Sequence, residues 1–128
     1  MKFSTRTEYG LRAIVHLDPA GKKPVSLAMI ARDEGLSLSY LERLFARMKK
    51  AGIVKSVKGV NGGYLLAAPA GKITTLQIIE ALEGTVAPYG CVDKKVCCEC
   101  GCKVHPVWEA LYAQVRKTLN SISLKSIM

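Results

Sequence analysis

The chain has 128 residues, 49% of them hydrophobic and 23% charged. That balance suits one globular core with an appended helix and excludes collagen-like, low-complexity and disordered chains. No apolar run approaches the roughly 18 residues of a membrane span, and Glu8, Arg12 and Asp18 interrupt the amino-terminal stretch where a secretory signal needs an unbroken apolar segment, so a cytoplasmic protein with no membrane partner is expected.

The net charge of +9 is unevenly spread. Residues 1–70 hold twelve Lys and Arg against five Asp and Glu, a balance of +7, whereas residues 71–128 hold seven against five, a balance of +2. A basic amino-terminal half is the electrostatic footprint of a phosphate-bearing partner.

In chain order, residues 5–17 (TRTEYGLRAIVHL) have helical spacing, with Leu11, Ile14, Val15 and Leu17 on one face. Pro and Gly in DPAGKKP then break the chain. Ser26 is placed to cap a short helix that runs to about Asp33 and stops at Gly35. Ser37 or Ser39 opens a third helix, which ends at Ala51 before Gly52. Two helices separated by EGLS form a helix-turn-helix candidate. On the second of them, Leu41, Leu44, Phe45 and Met48 make a stripe for the core, while Ser39, Arg43, Ala46 and Lys50, with Arg47 nearby, face the other way. A basic outer face is what a recognition helix needs in the major groove.

Residues 53–57 and 64–67 read as short strands, with Asn61-Gly62-Gly63 supplying positive-φ residues for a hairpin turn. A hairpin directly after a recognition helix is a wing, and Lys55 and Lys58 give it positive charge. KITTLQIIEALEG (72–84) is a further amphipathic helix. After the cysteine-rich loop, Pro106 suits the first turn of a long helix, along which Val104, Val107, Trp108, Leu111, Val115, Leu119 and Ile122 form one stripe. The stripe is longer than a small domain covers by itself, so a homodimer is expected. The predicted fold is therefore mainly α with a small β-hairpin wing. It comprises a winged helix-turn-helix DNA-binding domain (1–84), a cysteine-rich loop (85–105), and a dimerisation helix and tail (106–128).

All five cysteines, Cys91, Cys97, Cys98, Cys100 and Cys102, fall in CVDKKVCCECGCKVH, which His105 closes. In a reducing compartment such a cluster binds metal or does redox chemistry rather than forming stable disulfides. The ferredoxin spacing is absent, and spacing alone favours zinc, with a bare thiol switch also open. No phosphate loop or nucleophile elbow occurs, and the surroundings of Cys97-x-x-Cys100 are not those of a thiol oxidoreductase. An enzyme is not expected.

YGLRAIVHL, the segment from SLSYLERLFARMKK through IIEALEG, and CKVHPVWEAL together resemble the winged-helix regulators that include IscR and NsrR. The match runs through essentially the whole chain, with one small length difference in the cysteine loop. The resemblance implies a homodimeric transcription factor, expected to repress, that binds double-stranded operator DNA and senses iron–sulfur status, redox state or nitric oxide. It implies an iron–sulfur cluster, [2Fe-2S] in preference to [4Fe-4S], on Cys91, Cys97, Cys102 and His105. Cys98, Cys100 and Glu8 are alternative ligands, Glu8 matching the acidic ligand of NsrR-like members. The Cys97–Cys102 interval is one residue shorter than in IscR. The alternative function is a winged-helix repressor with structural zinc or a thiol switch, for example one controlling cysteine metabolism.

The same resemblance makes Glu42 and Arg43 base readers beside Ser39 and Tyr40, although Ser39-x-x-Glu42 also fits a capping box. IscR has glutamine where Arg43 stands. Lys58 replaces the usual wing arginine, and Val60 the usual proline. Lys49, Lys50 and Lys55 are expected on phosphates, and Arg47 belongs to the DNA-binding face.

Overall fold

The computed structural model describes residues 2–93 and 102–128; the expected ligands Cys97, Cys98 and Cys100 lie outside the described residues. Helix α1 (Thr5–Ile14) buries Thr7, Gly10, Ala13 and Ile14. It is three residues shorter than its periodicity predicts, because Val15–Leu17 close as turns on Ala13 and Ile14. The cause lies just downstream. Pro19 disfavours helical torsions at Asp18, and the Asp18 carboxylate accepts hydrogen bonds from the backbone N–H groups of Ala20, Lys22 and Lys23 at 3.1, 3.1 and 2.9 Å. Those bonds, from Lys23 first, hold its pKa below the ordinary value.

Helix α2 (Leu27–Glu34) starts where Ser26 Oγ accepts from Met29 N–H at 3.3 Å and ends at Gly35, φ 67° and ψ 33°. This left-handed residue turns the chain so that Leu36 N–H reaches Ala31 O at 2.9 Å. Helix α3 (Leu38–Lys50) is capped by Ser37, whose hydroxyl accepts from Tyr40 N–H at 3.2 Å. Ser37, not Ser39, is thus the N-cap. The capping box suggested for Ser39 and Glu42 does not form, since Ser39 already lies inside the first turn. Leu41, Leu44, Phe45 and Met48 are buried, as their spacing requires.

Strands β1 (Val54–Val57) and β2 (Gly63–Leu66) pair antiparallel from Val54↔Leu66 to Val57↔Gly63. Val25 adds a bridge to Tyr64, tying the hairpin to the loop before α2. The turn glycines differ from expectation in their reason. Positive φ falls at Gly59 (112°) and Gly63 (154°), not at Gly62. At Gly62 a Cβ would strike the carbonyl oxygen of Val57, and at Gly63 that of Val25. Close backbone approach, rather than handedness alone, demands glycine at these two positions.

Helix α4 (Thr75–Glu83) has a capping box formed by Thr74 and Gln77. Short helix α5 (Gly90–Asp93) precedes the cysteine segment, and α6 (His105–Asn120) follows it. The core joins Ile14, Ile30, Leu41, Phe45, Leu66, Ile78 and Leu82, so α1–α4 and the hairpin share it. Leu124, fully buried, completes it from the far end of the chain. A second cluster packs Leu76, Ile79 and Val86 against Tyr112, Val115 and Leu119 of α6. This is a winged helix with a long helix leaning on its α4 side.

Candidate nucleic-acid interface and metal centre

Helix α3 presents Ser39, Glu42, Arg43, Arg47 and Lys50 to solvent, all exposed. Glu42, released from any capping role, is available as an acceptor for cytosine N4 and Arg43 as a fork for guanine. Tyr40 differs from its neighbours. It is half-buried and packs edge-on against Tyr9 of α1, with ring centroids 6.2 Å apart at 83°, while the Arg43 guanidinium stands 6.0 Å from its ring centroid. Its ring fixes the angle between α1 and the start of α3. Lys49 Nζ donates to Ser56 Oγ at 2.9 Å and so braces the end of α3 against β1. Lys55 and Lys58 are exposed on the wing, whose tip carries the fully exposed Val60.

Arg6 escaped the sequence reading. It lines a cleft of about 300 Å³ with Thr5, Tyr40, Arg43, Leu44 and Arg47. Nothing in one-dimensional spacing places the start of α1 beside α3. Nearby, Glu83 of α4 accepts from the backbone N–H of Ser4 and, at 2.8 Å, from the Thr7 hydroxyl. Partial burial pushes its pKa up, but these donors and the Arg6 charge outweigh burial and leave it lowered.

Toward the cysteine segment, Cys91 is half-buried on α5 and Cys102 is exposed. His105 is the first residue of α6 rather than its N-cap, a position Val104 holds, and its N–H reaches Cys102 O at 3.4 Å. Its imidazole lies 3.9 Å from the Glu109 carboxylate. Glu8 is exposed in the first turn of α1. Among the described residues no three His, Cys, Asp or Glu side chains gather as a metal-binding group. The donor set itself, thiols and an imidazole at the two ends of one loop, fits the chemistry of thiolate-held iron or zinc.

A hydrogen-bonded path leaves this end. The Tyr112 hydroxyl donates to Asp93 Oδ1 at 3.3 Å and accepts from Arg116 at 3.3 Å; the same guanidinium nitrogen reaches both Glu80 carboxylate oxygens at 2.9 Å. The path therefore runs from α5 through α6 to α4. On α6 itself, Val107 and Leu111 are 58% and 39% exposed, beside a cleft of about 500 Å³ lined by Phe3, Val86, Tyr89 and Trp108. Among the described residues no helix is long and apolar enough to cross a membrane.

A family model described as "Rrf2: Iron-dependent Transcriptional regulator" matches residues 3–128. The HTH-type transcriptional regulator IscR of Xenorhabdus nematophila is 37% identical over 131 residues, covering all of this chain and 79% of that protein. Among solved structures, CymR, described as the global cysteine regulator of B. subtilis, superposes with a TM-score of 0.81 at 34% identity, over 99% of this chain and 95% of that one. The IscR of T. potens does so with a TM-score of 0.73 at 39% identity, over 99% and 85%. With its α3 face, its wing and this agreement over nearly its whole length, the chain belongs to the Rrf2 family of DNA-binding transcriptional regulators.

Proposed function

We propose that the protein is a homodimeric, sequence-specific repressor in the cytoplasm that senses iron–sulfur status, redox state or nitric oxide through a cluster, [2Fe-2S] in preference to [4Fe-4S], on Cys91, Cys97, Cys102 and His105. Cys98, Cys100 and Glu8 are the alternative ligands. When bound, such a centre supplies a site whose charge and ligation change with oxidation or attack by small molecules. The observation that carries the reading is the path from Asp93 through Tyr112 and Arg116 to Glu80. Asp93 stands two residues after Cys91, and α4, which bears Glu80, packs on the recognition helix α3. A change in how α5 is held pulls on Tyr112, and through Arg116 on α4. The exposed Val107 and Leu111 supply an apolar strip for a second copy, and twofold pairing sets two α3 helices on repeated half-sites. On each half-site Ser39, Tyr40, Glu42 and Arg43 address bases, while Arg47, Lys50, Lys55 and Lys58 address phosphates.

The test is anaerobic purification followed by titration on duplex from the protein's own promoter. Visible absorption with matching iron and sulfide is expected, together with a 5- to 150-fold difference in affinity between holo and apo forms, on the order of 1–3 kcal/mol of coupling. Tyr112→Phe should shrink that difference while leaving the absorption intact. Equal affinity of the two forms would remove the sensor.

A second reading follows from the CymR superposition: a winged-helix repressor of cysteine metabolism with structural zinc or a thiol switch. Colourless protein with one zinc, or with reduced thiols whose oxidation changes affinity, would establish it instead.

A further inference from the structure

We propose that the cleft between α1 and α3 is a phosphate-binding subsite, in which Arg6 and Arg47 grip one phosphodiester of the duplex while Arg43, on the same wall, reaches the neighbouring bases that α3 reads. The inference rests on the reading of α3 as the recognition helix. Three arginines from two helices line this single cleft, together with Thr5 and Tyr40. Among the described residues none of the three arginines is paired with a carboxylate. Like charges brought together repel one another; the Glu83 carboxylate offsets part of this at Arg6, and an anion in the cleft reverses the rest.

Arg6 adds an independent sign. Its side chain is half-buried, and its Nε is shut off from solvent with no hydrogen-bond partner. A buried donor left unpaired is a standing cost, and a turn of the Arg6 side chain toward the cleft removes it by giving the guanidinium a phosphate oxygen to donate to. Glu83, whose carboxylate feels the Arg6 charge, already accepts from Ser4 and Thr7. A phosphodiester suits the vacancy because a guanidinium presents its donors in a planar fork that matches two phosphate oxygens. Its source is the nucleic-acid backbone rather than a free anion. Arg43 and Arg47 also belong to the exposed face of α3, so a duplex against that face brings its own phosphates to the cleft.

Arg6 would thereby fix the register of the recognition helix without reading sequence itself. The experiment uses the full chain, a duplex selected by it from a random pool, and a shuffled duplex of equal length. For Arg6→Gln, affinity should fall about 3- to 10-fold by the same factor on both duplexes, and the slope of log K against log salt should drop by about 0.9, the value for one phosphate contact. Arg6→Lys should retain the slope. Replacing the contacted phosphate by an uncharged methylphosphonate should weaken the wild type but weaken Arg6→Gln no further. If Arg6→Gln unfolds, Arg6→Met, which keeps the apolar stem, carries the same slope test. An unchanged slope in a folded Arg6→Gln variant, with Arg43→Ala still relaxing base preference, overturns the subsite and leaves the recognition helix standing. If neither variant alters binding to any duplex, both readings fall. Inorganic phosphate binding to the DNA-free protein at millimolar concentration, lost in Arg6→Gln without any change in salt slope, identifies a free-anion site and also overturns the proposal.

Discussion

Glu34 joins helices that the chain separates. Its carboxylate accepts from Arg12 Nε of α1 at 2.9 Å and meets Nε2 of His16, in the turn that closes α1, at 2.8 Å. Arg12 lies 5.9 Å over the ring of Tyr9, the residue that packs against Tyr40 of α3. One acid at the end of α2 therefore steadies the ring that orients the recognition helix. The hydrogen bond with His16, helped by the nearby Arg12 charge and opposed by partial burial, keeps the Glu34 pKa below its ordinary 4.5. A carboxylate with a lowered folded pKa contributes stability that is complete above the unfolded value and disappears as pH falls through the folded one. Glu34→Gln should accordingly be less stable than the wild type at pH 7, and the two should converge as pH drops below about 4.5. Denaturant unfolding at a series of pH values measures this; a gap that persists undiminished at pH 3 would mean that the charge contributes nothing.

Helix α3 carries its own boundary markers, and they separate two serines of similar appearance. Ser37 accepts from Tyr40 N–H, so Ser37→Ala should destabilise the protein by about 1 kcal/mol. Ser39 sits inside the helix on the exposed face, and Ser39→Ala should cost DNA affinity rather than stability. Thermal unfolding beside a binding titration distinguishes them; equal stability losses would contradict the cap assignment. This contrast also marks how far the sequence was legible. Caps, the Gly35 stop and the Leu41–Met48 stripe are local properties, and their spacing was sufficient to place the helix-turn-helix. The choice between Ser37 and Ser39 was not local in that sense, because either offers a hydroxyl and only the path of the chain after Gly35 selects one. The same holds for Gly62 and Gly63. A turn was evident from composition, but the carbonyls that crowd them belong to Val57 and Val25. Arg6 was invisible for a stronger reason, since its significance depends on arginines about forty positions away on a neighbouring helix.

Across the whole molecule, the long apolar stripe of α6 divides in a way that periodicity does not reveal. Tyr112, Val115 and Leu119 lean on Leu76, Ile79 and Val86, whereas Val107 and Leu111 stay exposed. Hydrophobic spacing identifies a face to be covered but not the surface that covers it. Beyond the helix, Thr75 N–H donates to Ile122 O at 2.9 Å, the Thr75 hydroxyl to Leu119 O at 2.7 Å, and Leu124 N–H to Ile73 O at 2.8 Å. These bonds deliver Leu124 into the core shared by α1, α3 and α4. Leu124→Ala should cost about 2–5 kcal/mol through the cavity it leaves. Calorimetry would register that loss as a lower Tm, and a variant as stable as the parent would show that the strap is an ornament.

Placing such a residue so late in the chain has a consequence for biosynthesis. Polypeptides emerge amino terminus first and their domains fold as they appear, yet here the DNA-reading half lacks a piece of its interior until synthesis has passed residue 124. A nascent chain, or one abandoned by the ribosome within α6, would display the basic α3 helix on an incompletely packed body. The interior beneath the DNA-reading helix is thereby closed only once residue 124 has joined it.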